Sequence, residues 1–255
     1  RDYNNKNTPT VSSYPKIIAN PDVTWETSEQ LNIGFDARFL NSRLNVSFDL
    51  YKKTTKDWLI DAPIPSMLGA NAPFINGGDV ENKGYEIVVS WNDRIGKDFS
   101  YNISANFSHN KNEVTRLANS EGIIHGENNA IAQNTAELYR LQVGYPVGYF
   151  WGYQMEGIIQ NEQDLQNYLD KHCKGDKANS LQGSSLQPGD VKFVDFNKNG
   201  KIDKDDKDKT MIGDPNPDFT VGLSISLAYK GFDLGLNGYG SFGQQVAKSY
   251  RQFIS

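Results

Sequence analysis

Apolar and polar residues alternate one by one along several stretches of the chain. Phe99–Ser108 is the clearest stretch, with aromatic and aliphatic positions separated by Ser and Asn. This two-residue period gives a β-strand one apolar and one polar face. The alternation predicts six strands, at Gln30–Leu40, Leu44–Leu50, Gly84–Trp91, Phe99–Ser108, Phe219–Leu227 and Phe232–Asn237. The longer runs hold about 9 to 11 residues, enough for a tilted strand to cross a bilayer, whereas soluble sandwich strands hold about 5 to 6.

The connections between these strands alternate between short and long. Tight turns are predicted at Asn41-Ser42, Asp93–Lys97 and Lys230-Gly231, and long excursions at Lys52–Lys83 and Asn110–Asn216. Outer-membrane barrels have this asymmetry of short periplasmic turns and long extracellular loops. The predicted fold class is therefore all-β, a section of a large antiparallel transmembrane β-barrel. Because a barrel needs at least about 8 strands, we expect residues 1–255 to be part of one barrel, with further strands on both sides.

Composition agrees with strands that have one apolar face. The mean hydropathy is -0.61, yet 12% of residues are aromatic, which argues against a disordered chain. A net charge of -5 argues against a nucleic-acid partner. A single cysteine, Cys173, leaves no intramolecular disulfide, and the sequence contains no apolar stretch of helical membrane-spanning length.

One segment of the second excursion, residues 195–206, fits the template of a calcium-binding loop. In that template, alternate side chains supply oxygens and a central glycine allows a sharp turn. The candidate ligands are Asp195, Asn197, Asn199, the carbonyl of Lys201, Asp203 and Asp206. Aspartate in place of glutamate at the last position, and the surrounding lysines, predict a weak structural Ca²⁺ site. The alternative is a turn that its own Asx side chains brace without a metal.

The rest of this excursion, assigned to residues 111–215, offers little chemistry. A short helix is predicted at residues 161–172, with Leu165 and Leu169 on its apolar side. The aromatic stretch Tyr145–Tyr153 is expected to pack the loop against the barrel rather than to stack on sugars. The three histidines show no metal-ligand spacing, and no nucleophile motif accompanies Cys173, so we expect no enzyme. The run Gly238–Gly243 spells a dinucleotide fingerprint, but glycines that let strands bend explain it better.

Several blocks of the chain resemble the late barrel of SusC/RagA-type TonB-dependent transporters, in the same order as in that family. The blocks are Asn20–Glu26 with Gln30–Asp36, Gly77–Glu86, Val143–Tyr153, Gly189–Asp195 and Gly213–Phe219. The resemblance implies a bacterial outer-membrane protein that imports oligosaccharides or peptides with energy from TonB. It also implies a SusD-like surface lipoprotein as partner, contact with TonB through a plug region, and outer-membrane lipid around the barrel.

A second hypothesis stays open on the sequence alone. Strands of this composition also suit a soluble β-sandwich module that binds glycans and is braced by calcium. A transporter exposes the apolar faces of its strands to lipid, with Asp36, Arg38, Asp49 and Glu86 toward the lumen, whereas a sandwich packs those faces on a second sheet.

Overall fold

A computed structural model describes residues 16–17, 19–61, 71–130, 133 and 135–248 of the chain. Its main feature is one antiparallel sheet of six strands. The strands are β1 (Thr27–Phe39), β2 (Leu44–Asp61), β3 (Phe74–Ile95), β4 (Phe99–Leu117), β11 (Phe219–Tyr229) and β12 (Phe232–Phe242). They lie side by side in the order β1-β2-β3-β4-β11-β12, and the sheet does not close on itself within the described residues.

The strand register places the apolar residues of all six strands on one face. One row across the sheet joins Phe35 to Phe48, Ile87, Phe107 and Val221. Many of these side chains are uncovered, and the exposed fraction of Phe35, for example, is 58%. A soluble monomer rarely leaves so large an apolar face in water. The predicted alternation is therefore confirmed, and the face is suited to lipid.

The three predicted tight turns also form. Lys230 and Gly231, with φ of 46° and 85°, form a two-residue hairpin turn between Tyr229 and Phe232. Two consecutive left-handed residues are what such a turn requires, since that geometry matches the twist of the strands. The turn predicted at Asn41-Ser42 is longer, residues 40–43, and Leu40, Asn41 and Ser42 are all left-handed, with φ of 55°, 57° and 65°. The turn predicted at Asp93–Lys97 comprises residues 96–98, because β3 continues to Ile95. Each turn thus joins neighbouring strands at the same end of the sheet, measured along the strands.

Three strands continue far beyond their predicted ends. The residues from Lys52 to Lys83 were expected to form a long loop, but β2 runs on to Asp61 and β3 begins at Phe74. Similarly, β4 continues to Leu117. The extensions lack the apolar and polar alternation because their outer face carries charged side chains, whereas apolar residues such as Val80 and Val114 are buried on their inner face. The middle of the predicted loop, residues 62–70, lies outside the described residues.

The excursion between β4 and β11 folds into a small unit of its own. Its described residues contain one α-helix, α1 (Glu162–His172), where the sequence placed one, and short 3-10 helices at Lys177–Asn179, Gly183–Ser185 and Asp206–Asp208. The strands are β5 (Ile123–His125), β6 (Tyr139–Gln142), β7 (Tyr149–Tyr153), β8 (Met155–Ile158), β9 (Val191–Phe193) and β10 (Lys209–Gly213). They form two small sheets, with strand orders β10-β7-β6-β5 and β8-β9. None of the helices in the described ranges is long and apolar enough to span a membrane.

Candidate functional site: an inward polar basin and the excursion above it

The face of the large sheet opposite the apolar one carries a polar basin of about 590 Å³. We call this the inward basin, and it is formed by β1, β2, β3 and β4. Amides, carboxylates, a lysine and a tyrosine line it: Gln30, Asn32, Asp49, Tyr51, Lys53, Asn82, Glu86 and Asn110. Such a surface offers both donors and acceptors to a polar ligand.

A chain of side-chain hydrogen bonds connects the inward basin to the excursion. The Tyr51 hydroxyl donates to Asn110 Oδ1 at 3.0 Å, and Asn110 Nδ2 donates to Asn82 Oδ1 at 3.1 Å. Asn112 Nδ2 donates to the same Asn82 oxygen at 3.0 Å, while Asn112 Oδ1 accepts the backbone N–H of Val147 at 2.8 Å. The asparagines therefore fix a segment of the excursion to the strands that line the basin.

Apolar packing holds the excursion on the same inward face. Val80, Val114 and Leu117 of the strand extensions are buried against Leu141 and Val147, together with Trp58 and Ile124. Backbone hydrogen bonds add to this contact, from Val114 N to Tyr145 O and from Gly144 N to Val114 O. The segment of the excursion from Leu141 to Val147 consequently lies against the inner side of the strand extensions.

The aromatic stretch of the excursion is used for packing, as expected. Tyr149 is fully buried and Phe150 is 7% exposed. Tyr149 stacks on Tyr145 with ring centroids 4.7 Å apart, and burial raises the pKa of Tyr149 to about 12. These rings stabilise the loop and leave little free aromatic surface for a ligand.

Helix α1 and the calcium-like loop share one small hydrophobic core. Leu165, Tyr168 and Leu169 of α1 pack with Ile202 of the loop and with Cys173. Asn161 caps the helix, because its side chain accepts the N–H of Asp164 at 2.9 Å. Ile202 is 1% exposed, so the apolar eighth position of the template anchors the loop.

The structure brings most of the predicted calcium ligands together. Asp195 accepts the N–H groups of Asn199 and Gly200 at 3.1 and 2.6 Å. The amides of Asn197 and Asn199 donate to Asp203 Oδ2 at 3.1 and 2.7 Å, and the donors Asn199 and Asn197 lower the pKa of Asp203. Lys201 N–H donates to Asn199 Oδ1 at 2.8 Å. The loop is thus cross-linked by its own Asx side chains.

Asp206, the predicted closing ligand, is placed elsewhere. Its carboxylate pairs with Arg140 of β6 and, at 3.0 Å, with Lys209. The carboxylate that reaches the loop is Asp208, which is fully buried and which the sequence template did not select. No group of three or more His, Cys, Asp or Glu side chains within the described ranges is arranged to hold a metal ion.

Asp208 organises the loop through backbone groups. It accepts N–H groups from Phe196 at 2.9 Å, Asn197 at 3.1 Å and Asp203 at 2.6 Å. A carboxylate that receives several N–H groups is well satisfied despite its burial. The sequence signal for this role was weak, because Asp208 lies two residues beyond the template.

Arg140, which is 4% exposed, links the calcium-like loop to the small sheet. It donates through Nε to Glu137 Oε1 at 2.7 Å, pairs with Asp206, and lies 4.2 Å from the centre of the Trp151 ring. Burial alone would raise the pKa of Glu137 and of Asp206. The hydrogen bonds from Arg140, together with those from His125 to Glu137 and from Lys209 to Asp206, outweigh that effect and lower both pKa values. This ionic cluster was not predicted, since Asp206 lies 66 positions from Arg140 in the sequence.

The large sheet is antiparallel and has one apolar face that is suited to lipid. Tight turns lie at one end of its strands and a large folded excursion lies at the other. Together these features define a section of a membrane β-barrel. A family model described as the TonB-dependent receptor-like β-barrel matches residues 2–240. The chain belongs to this family, whose members are outer-membrane barrel proteins. The exposed apolar face and the family membership together exclude the soluble sandwich.

Named relatives agree with this assignment. TonB-dependent receptor P3 of Formosa agariphila is 34% identical over 230 residues, covering 90% of this chain and 22% of the relative. TonB-dependent receptor SusC of Bacteroides thetaiotaomicron is 29% identical, covering 96% and 22%. Among solved structures, the RagAB peptide transporter matches with a TM-score of 0.63 and 25% identity, covering 89% and 22%. The chain therefore spans less than a quarter of these relatives.

Proposed function

We propose that this chain is the late barrel section of a SusC-like importer that takes up oligosaccharides or peptides across the outer membrane. Membership in the barrel family and the names of its relatives support this proposal. Energy would come from TonB through a plug region, and a SusD-like lipoprotein would cover the outer opening. The chain's own contribution is a wall and a folded structure at the mouth.

The observation that carries the proposal is the docking of the excursion on the inward face. A loop that simply projected into the medium would leave the lumen open. Here Val147 and Leu141 pack on the inner side of β3 and β4, directly beyond the basin that Asn82 and Asn110 line. A cargo moving through the barrel would pass this rim, where amide and hydroxyl groups of the protein would replace water molecules of the cargo's hydration shell.

The role in import is tested in cells that carry the intact gene. Deletion of this gene should abolish growth on one class of nutrient, either oligosaccharides or peptides. Growth on monosaccharides and amino acids should be unchanged. Inactivation of TonB should give the same selective defect. Unimpaired growth of the deletion strain on every oligosaccharide and peptide source would contradict the proposal.

We further propose that the section has no catalytic chemistry. Each of two histidines already has a carboxylate partner, His125 with Glu137 at 2.9 Å and His172 with Glu156 at 2.9 Å. Burial raises the pKa of Cys173 to about 11, which keeps the thiol protonated and unreactive. Purified protein should therefore release no product from oligosaccharide or peptide substrates.

A weak structural Ca²⁺ site in the loop of residues 195–206 remains a proposal. Asp195, Asn197, Asn199 and Asp203 support it, because they already surround one turn of backbone at hydrogen-bond distance. Closure by Asp206 would require it to leave Arg140. Calorimetry with Ca²⁺ should show binding that Asp195→Ala removes and that Asp170→Ala, in the exposed face of α1, preserves. Equal binding by both variants would exclude the site.

A further inference from the structure

A row of three lysines borders the apolar face at the end of the strands that is farthest from the tight turns. Lys52, Lys83 and Lys111 are directly opposite one another on β2, β3 and β4. Along their strands, the three lysines lie two residues from Leu50, Tyr85 and His109, which are on the apolar side of the sheet. Because side chains alternate between the faces of a strand, the lysine side chains leave the sheet on that same side. Their side chains are 57%, 52% and 60% exposed. We call this set the lysine row.

Like charges directly opposite in a sheet repel one another. Within the described sheet, two carboxylates reduce this repulsion. Glu81 lies 2.6 Å from Lys52 and 3.2 Å from Lys83, and Glu113 lies 2.8 Å from Lys111. Both glutamates lie two residues farther along their strands from the apolar residues than the lysines do. One positive charge remains in excess, and because each lysine side chain is more than half exposed, its ion pair contributes little stability and can exchange partners.

An apolar depression lies directly below the lysine row. It has a volume of about 430 Å³ and is lined by Leu31, Ile33, Leu50 and Tyr85, with the three lysines at its rim. Leu31 and Ile33 are 62% and 64% exposed. A cationic rim above an exposed apolar surface is complementary to an amphipathic molecule with an anionic head.

The height of the lysine row fits the level of lipid headgroups. On β1 the apolar side chains run from Leu31 to Phe39, about 27 Å along the strand at a rise near 3.4 Å per residue. A strand tilt of about 40° reduces this to about 21 Å, close to the apolar band of outer-membrane barrels, about 25 Å. The lysine row lies at the upper limit of this band, on the side of the excursion, and therefore in the outer leaflet.

We infer that the lysine row and the depression bind a phosphorylated lipid of the outer leaflet, with its phosphate on the lysines and its acyl chains on the apolar surface. Ammonium groups bind phosphate as point charges and form charge-assisted hydrogen bonds with it. A bound phosphate also removes the residual repulsion between the lysines. This inference depends on the position of the barrel in the membrane and not on the identity of the cargo.

The experiment uses the intact, detergent-purified outer-membrane protein that contains this chain. Monophosphorylated lipid A and the same lipid without its phosphate are titrated separately, and bound lipid is counted by native mass spectrometry. The unaltered protein should prefer the phosphorylated form at least about tenfold. The triple variant Lys52→Gln, Lys83→Gln, Lys111→Gln should lose this preference.

A matched control changes the same charge at other exposed lysines, with Lys97→Gln, Lys198→Gln and Lys204→Gln. It should retain the full preference. Lys83→Gln alone, a milder change that guards against misfolding of the triple variant, should weaken binding about three- to fivefold. Equal binding of both lipids by the unaltered protein, or an unchanged preference in the lysine-row variants, would overturn the inference.

Discussion

Asp208 gives the sharpest test of how the calcium-like loop is held together. Asp208→Ala removes a fully buried carboxylate that accepts three backbone N–H groups, from Phe196, Asn197 and Asp203. At about 1.5 kcal/mol for each hydrogen bond to a charged group, the sum is about 4.5 kcal/mol. Water reaches part of this exposed loop and can replace some of the lost hydrogen bonds, which reduces the cost. We therefore expect a loss of about 2 to 4 kcal/mol in local stability.

Hydrogen exchange of the intact protein, measured with EDTA present, reports this loss directly. A destabilisation of about 2 to 4 kcal/mol should accelerate exchange of the three amides by roughly 30- to 900-fold. The control is Asp205→Ala in the same loop. Its side chain is 54% exposed, and its two contacts are both with Lys207. If both variants changed exchange to the same small extent, the proposed role of Asp208 would be wrong.

Three further predictions concern the excursion. Hydrogen bonds to Glu137 raise the pKa of His125, so this pair should stabilise β5 fully below about pH 6.5. The stabilisation should be lost as the pH rises through the raised pKa of His125. Hydrogen exchange of the β5 amides, measured from pH 5.5 to 8.5, should show this loss, and His125→Gln should remove the pH dependence. Arg140→Met leaves Glu137 with His125 and Asp206 with Lys209 as their remaining partners, so it should cost about 1 to 3 kcal/mol. This loss should appear as faster proteolysis of the excursion, and unchanged protease resistance would refute it. Cys173 is fully buried and should react with thiol reagents only after the excursion opens, so immediate labelling in the native protein would contradict its placement.

The membrane-spanning strands could be predicted from the sequence because each carries its own signal. Alternation along Phe99–Ser108 depends only on the period of a strand, and the turn at Lys230-Gly231 only on local backbone conformation. The strand extensions were missed for a related reason. Beyond Lys52 the inner face is covered by the excursion and the outer face is charged, so no alternation marks the strand.

The candidate site was less predictable because it depends on contacts between distant residues. Asn112 and Val147 are 35 positions apart, and Arg140 and Asp206 are 66 positions apart. A local template selected Asp206 as a loop ligand, but a buried arginine from another strand pairs with it. No pattern within a single segment contains that information, and none indicated that the excursion would lie on the inward face.

The central claim is that one face of the large sheet contacts lipid and the other faces a water-filled lumen. Spin labels at successive cysteine substitutions along β2, from Val46 to Tyr51, test it in the native outer membrane. Oxygen, which dissolves in lipid, should relax labels at Phe48 and Leu50, whereas a water-soluble nickel complex should relax those at Ser47 and Asp49. Accessibility to the nickel complex that did not alternate along the strand would contradict this arrangement of the two faces.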